Sequence, residues 1–170
     1  MPFDPALFEE IRVSGNLDLT ANWNENEYLE LDLHAPGGAI ICGVNFTEIS
    51  RTSASWHWRK MNTRTVHVVL KARGSHAITD QWRGWVELHY ELICYKRKNG
   101  VDDSIEIECP VVDGPDAGGT YGHEAEGVDT YCMHIPGEAV GTLMCMPYYF
   151  KDGKKVLLPV YACGLCYKND

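Results

Sequence analysis

Alternation of apolar and polar side chains is the feature that most narrows the folds open to this chain. Across residues 11–23, Ile11, Val13, Leu17, Leu19, Ala21 and Trp23 share one parity, while Arg12, Ser14, Asn16, Asp18, Thr20 and Asn22 share the other. Successive side chains of a strand point to opposite faces, so only an extended backbone collects the first set on one side; a helix would scatter it. The pattern returns in Leu29-Leu31-Leu33 against Glu30-Asp32-His34, and in Val66-Val68-Leu70 against Thr65-His67-Lys71. It returns again in Val86-Leu88-Tyr90-Leu92-Cys94 against Glu87-His89-Glu91, and in Ile105-Ile107-Cys109 against Glu106-Glu108.

Turn chemistry divides these runs. Asn99-Gly100 supplies the positive φ angles of a tight hairpin and is expected to pair 85–97 with 104–109. Lys151-Asp152-Gly153-Lys154 is expected to join 141–150 to 155–163 in the same way. Further strands are expected at 39–46 and 128–134, giving roughly nine to ten in all. Only Asp4–Glu10 reads as helical, with Asp4 as its cap and Pro5 at its first position. Strands joined by turns imply an all-β domain, an antiparallel β-sandwich or jelly roll with a short N-terminal helical turn. At 170 residues, the chain fits a single domain spanning 1–170.

Residues 112–127 interrupt the rhythm with five glycines and four acids. A long polar loop in a compact domain is a place for function. Over 112–129, Asp113, Asp116, Thr120, Glu124, Glu126 and Asp129 offer the hard oxygen donors that calcium takes. The run Asp116-Ala117-Gly118-Gly119-Thr120-Tyr121-Gly122-His123-Glu124 resembles the calcium loop of the bacterial galactose-specific lectins. That resemblance covers under a dozen residues and implies that Asp116 and Thr120 hold the ion. His123 and Glu124 stand where that family has two Asn ligands.

Aromatic side chains give a second candidate surface. Trp56 and Trp58 share a face of Ser53–Lys60 with His57 opposite, and Trp82 and Trp85 flank the start of a strand. Exposed indoles stack on sugar rings, whereas buried ones anchor a core, and the spacing alone leaves both readings open. With Tyr121 and His123 these four tryptophans form the expected ligand-binding set. Arg51, Arg59 and Arg83 lie nearby in sequence and keep an anionic ligand open.

Seven cysteines, an odd number, suit mostly unpaired thiols in a reducing compartment. Cys163-Gly164-Leu165-Cys166 has the spacing of half a zinc site, and Cys132 with His134 could add ligands. The second Cys-x-x-Cys of a structural zinc site is absent, so zinc ranks below calcium. The sequon Asn45-Phe46-Thr47 falls inside a strand pattern and reads as accidental.

The net charge of −9 opposes non-specific binding of nucleic acid, and its blocks are informative. Residues 1–50 hold nine acids and one base, 51–98 hold ten bases and three acids, and 99–150 hold ten acids with no Lys or Arg. Either acidic and basic strands lie side by side, or the molecule has opposed charged faces. The start Met1-Pro2-Phe3-Asp4-Pro5 has no basic n-region or apolar h-region, and no run is long enough for a transmembrane segment. The expected location is cytoplasmic, or outside the cell without an encoded signal peptide, with secretion left open.

No nucleophile elbow, phosphate loop, zinc-protease motif or dinucleotide fingerprint is present in the sequence. His123 with Glu124, or His89 with Glu87 or Glu91, could form an acid–base pair. The leading expectation is a non-catalytic, lectin-like module that binds a glycan or polar surface through the 112–129 loop and nearby aromatics, with calcium assisting. The alternatives are a protein-interaction or assembly protein, including a homo-oligomer, that uses its charged faces, and a small metal- or Cys/His-dependent enzyme.

Overall fold

A computed structural model describes residues 3–78, 81–109, 118–122, 130–131, 139–143, 147–160 and 167–168; the short pieces 118–122, 130–131, 139–143 and 167–168 are described by their backbone alone. The described chain is all-β, with no helix, and hence none long and apolar enough to cross a membrane. Its strands are β1 (Phe8–Thr20), β2 (Asn26–His34), β3 (Ala39–Thr52), β4 (Ala54–Asn62), β5 (Thr65–His76), β6 (Gln81–Arg83) and β7 (Trp85–Arg97). They continue as β8 (Gly118–Gly122), β9 (Thr130–Tyr131), β10 (Ala139–Leu143), β11 (Tyr148–Lys151), β12 (Lys154–Leu157) and β13 (Tyr167–Lys168).

One sheet has the order β1-β7-β3-β10 and a second the order β13-β9-β8-β4-β5-β2, with β6 also on β5. All described pairs are antiparallel except β8 with β9. Both sheets feed one core. Val44, Phe46, Val86, Leu88, Leu92 and Cys94 come from the first, and Trp56, Trp58, Val66, Val68, Leu70 and Ala72 from the second. The alternation in β1, β2 and the first half of β7 sorts core from solvent side as the sequence implies.

Two bulges in β3 reset its parity. The register with β7 slips between Ile41 and Gly43, and again between Glu48 and Ser50. An extra residue shifts every later side chain to the other face. Ala39 and Ile41 therefore face the core before the first slip, and Val44 and Phe46 after it, while Cys42 turns to the opposite side. There Cys42 joins Phe8, Tyr95, Tyr149, Val156 and Leu158 in a second cluster beneath the β11–β12 hairpin. Cys42 and Cys94 are buried thiols, and burial pushes the Cys94 thiol up to about 11. Cys109 is in a disulfide, its partner lying outside the described residues.

Three expectations are corrected. Asp4–Glu10 is not a helix: Leu7 N–H donates to Asp4 O at 3.2 Å in a single turn, and Ala6 N–H donates to Asp4 Oδ1 at 2.9 Å. Phe8, Glu9 and Glu10 are instead drawn into β1 opposite Arg97, Lys96 and Tyr95. Segment 104–109 does not form a hairpin with 85–97, although Gly100 has the expected positive φ of 83°. β7 already has β1 on one edge and β3 on the other, so it has no free edge to offer. Residues 118–122 are no loop but strand β8, paired with β4. The hairpin at Asp152-Gly153 forms, with φ of 53° and 75° at its two turn residues, but its arms are Tyr148–Lys151 and Lys154–Leu157 rather than 141–150 and 155–163, and 141–143 belong to β10 on β3.

Candidate functional site

At one end of the sheets, three connections meet: the β1–β2 turn, the start of β4 and the β5–β6–β7 corner. Ala21 N–H donates to Gly84 O at 2.8 Å, Gly74 N–H to Glu25 O at 2.8 Å, and Arg73 N–H to Ser53 O at 2.9 Å. Ser53 and Asn24 adopt left-handed φ of 48° and 60°, which lets the chain turn sharply between sheets. Backbones approach so closely that a Cβ on Gly74 would lie 2.0 Å from Asn22 O. One on Gly84 would lie 2.3 Å from Arg73 O and 2.5 Å from Ser53 O. Only glycine fits at either place.

This rigid corner carries an aromatic–cationic surface. Trp23 is 46% exposed. Its ring meets His76 edge-on at 5.7 Å, and the Arg83 guanidinium stands 5.7 Å from its centroid. Arg83 is fixed in turn by donating from Nε to Ala21 O at 2.9 Å and from Nη2 to Asn22 Oδ1 at 3.4 Å. Trp85, 40% exposed, donates from Nε1 to Ser50 Oγ at 3.0 Å. Trp82 is half-buried, and its indole N–H has no hydrogen-bond partner among the described residues.

The expected ligand-binding residues divide. Trp82 and Trp85 lie at this corner. Trp56 and Trp58 do not; each is 1% exposed and packs at a tilt against Phe46 in the core, with ring centroids 5.1 and 5.7 Å away. Trp56 Nε1 donates to the buried Glu48 Oε1 at 2.9 Å, and Arg51 Nε bonds the same oxygen at 2.7 Å, so Arg51 serves the interior. Tyr121 stands opposite Trp56 in the β8–β4 register. Thr120, expected as a metal ligand, lies mid-strand between His57 and Tyr131. His123, Asp113, Asp116, Glu124, Glu126 and Asp129 lie outside the described residues, as do Cys132, His134, Cys163 and Cys166. β8 enters opposite Arg59 and leaves opposite Ser55. The two acid groups of 112–129 therefore flank about 13 Å of extended backbone.

Trp23 was expected on the core side of the first strand. β1 ends at Thr20, and the chain turns through Asn22-Trp23-Asn24. The signal was available: three asparagines within five residues, Asn22 to Asn26, mark a turn rather than a strand.

A second polar constellation covers the outer side of β2, β5 and β4. His67 Nδ1 lies 2.7 Å from Asp32 Oδ1 and its Nε2 lies 2.6 Å from Glu30 Oε1, while Tyr28 O–H donates to Glu30 Oε2 at 2.9 Å. Hydrogen bonding to Asp32, joined by that to Glu30, raises the His67 pKa above its ordinary value. Hydrogen bonds from Tyr28 and His67 hold the Glu30 carboxyl below its own. His57 moves the other way, because burial disfavours its charged form and Lys71, His67 and Arg59 add positive charge around it. His89 pairs with neither Glu87 nor Glu91 among its described bonds; Nδ1 lies 2.9 Å from Asn16 Oδ1. Asn45 of the sequon is 6% exposed and donates to Glu91 at 3.3 Å. Among the described residues no group of three or more His, Cys, Asp or Glu is placed to hold a metal ion. No protein-family model, curated protein or solved structure matches the chain.

Proposed function

We propose that the chain is a non-catalytic, lectin-like binding module, built as a β-sandwich or jelly roll. Its ligand is a glycan or another polar surface held at the corner that carries Trp23, His76, Arg83 and Trp85. The shared core of the two main sheets supports the sandwich. One observation carries the function: an indole 46% exposed is braced by an imidazole and a guanidinium on a backbone where only glycine fits. The CH-rich face of a pyranose can stack on such a ring. The nearby imidazole and guanidinium offer polar groups to ring hydroxyls, and a rigid site lowers the entropy cost of binding. Calcium is the proposed assisting ion, with Asp113, Asp116, Thr120, Glu124, Glu126 and Asp129 as its donors.

A glycan array probed with and without calcium tests this reading, using the natural chain and Trp23→Ala. Binding to a defined glycan class that Trp23→Ala abolishes supports it. An array blank in both conditions, or signals that Trp23→Ala leaves unchanged, refutes it. Signals indifferent to calcium remove the ion from the proposal.

A further inference from the structure

Among the described residues, the core is half-open on one flank. β1 and β2 are the edge strands of the two main sheets, and both lie on the same flank, joined by the 21–25 turn. The half-buried side chains around the main core are Ile11, Val13, Leu17, Leu19, Leu29 and Leu31, with Tyr90 from β7. All but Tyr90 belong to these two strands. An apolar seam therefore runs between two edges that have no strand partner among the described residues, which is an invitation to association. The seam is rimmed by negative charge: residues 8–34 hold seven carboxylates against the single base Arg12. Arg12 is already engaged by Glu10 and Glu91, at 2.5 and 2.8 Å.

The β11–β12 hairpin has the opposite character. Its inner face, Tyr149 and Val156, is buried in the second cluster. Its outer face aligns Tyr148 with Leu157 and Phe150 with Lys155. Phe150 is 52% and Leu157 55% exposed. Lys155 Nζ stands 4.2 Å from the centroid of the Tyr148 ring, whose O–H donates to Glu108 Oε2 at 3.3 Å, while Lys151 and Lys154 pair at the turn end on the other face. The patch therefore lies on a hairpin that holds three lysines, Lys151, Lys154 and Lys155, against the single acid Asp152.

We propose that the β11–β12 hairpin of one copy docks on the β1–β2 seam of a second copy of this chain. Seam against seam would oppose carboxylates, and hairpin against hairpin would oppose lysines. The complementary contact is therefore seam to hairpin. Such a contact is heterologous, since each copy offers a different surface, and copies add head to tail into a ring or an open chain.

Light scattering across a concentration series tests this at low and at high salt. Association should appear at low salt and weaken at least about tenfold at high salt, where exposed pairs are screened. Lys154→Glu/Lys155→Glu should be monomeric, and so should Asp18→Lys/Glu27→Lys. An equimolar mixture of the two should associate again, because the reversed hairpin of one meets the reversed seam of the other. Asp18→Lys would face Glu87 across the β1–β7 pair and so spares the fold. Melting curves check that each variant is folded before mixing. A natural chain that stays monomeric at low salt, an oligomer indifferent to salt, or folded variants that fail to associate on mixing would each overturn the proposal.

Discussion

Trp56 and Trp58 on β4 and Trp23 and Trp85 at the sheet corner have the same side chain and opposite surroundings. The β4 pair points inward on alternate positions, touches Phe46 and sees almost no solvent. The corner pair sits just outside regular pairing or at its margin, with Trp23 beyond the end of β1 and Trp85 at the first residue of β7. Strand parity against the core decides the first case. The place where pairing ends decides the second. Even within the buried pair a difference survives, for Trp56 gives its N–H to Glu48 while the Trp58 N–H has no partner among the described residues.

The largest expected effect is on stability at β4. Truncating Trp58 to Ala should cost about 3–5 kcal/mol, the range for a large buried aromatic, as measured by denaturant unfolding. A cost near zero would mean that the indole is not a core anchor. The pair separates further on replacement by Phe. Trp56→Phe leaves the buried Glu48 carboxylate one donor short and should cost about 1–3 kcal/mol beyond the packing change. Trp58→Phe removes an N–H with no partner and should cost clearly less; equal costs would dissolve the distinction.

The corner, too, can be broken without touching an indole. Gly84→Ala sets a methyl 2.3 and 2.5 Å from two carbonyl oxygens and must displace backbone. About 1–3 kcal/mol of destabilisation is expected, with any ligand binding lost alongside. Unchanged stability would show that the corner is looser than the contacts imply.

Much of this was legible from the sequence, and the failures have physical causes. Alternation identified the core faces of Ile11–Leu19, Leu29–Leu33 and Val66–Leu70, because burial of one face is a local rule. The Asp152-Gly153 hairpin followed from local turn chemistry. Partner choice is not local. Asn99-Gly100 carries the same signal as Asp152-Gly153, yet the pairing fails because β1, 79 residues away at the Arg12–Glu91 contact, already occupies an edge of β7. The His67–Asp32–Glu30 set was hidden for the same reason. Both polar faces were readable, but their meeting depends on the β2–β5 register, across some thirty-five residues. The two bulges in β3 left no signal in the alternation that names their position, and the first of them is what brings Glu48 inward to Trp56.

The charge blocks turn out to be interleaved where the described ion pairs lie: Arg12 with Glu91, Arg51 with Glu48, and His67 with Glu30 and Asp32. Smaller effects follow from them. The His67 pKa is raised on folding, so the stability it adds is fully present below the ordinary value of 6.5 and fades as pH climbs through the folded value. The His57 pKa is depressed, so its contribution is present above 6.5 and lost as pH falls through the folded value. NMR titration should find His67 titrating above, and His57 below, the ordinary histidine. A common midpoint for the two would contradict the clamp on His67. Smallest of all is the expected cost of Trp23→Ala, within about 0.5 kcal/mol because the ring is half exposed. A large loss would make Trp23 a structural residue like Trp58.

Five tryptophans give five indole N–H signals, and following them by NMR during titration with an array-selected oligosaccharide tests the division directly. Recognition at the corner predicts that the Trp23 signal, together with Trp85, shifts in proportion to occupancy, while Trp56 and Trp58 stay in place. Movement of the Trp56 and Trp58 signals with Trp23 and Trp85 unmoved would contradict it.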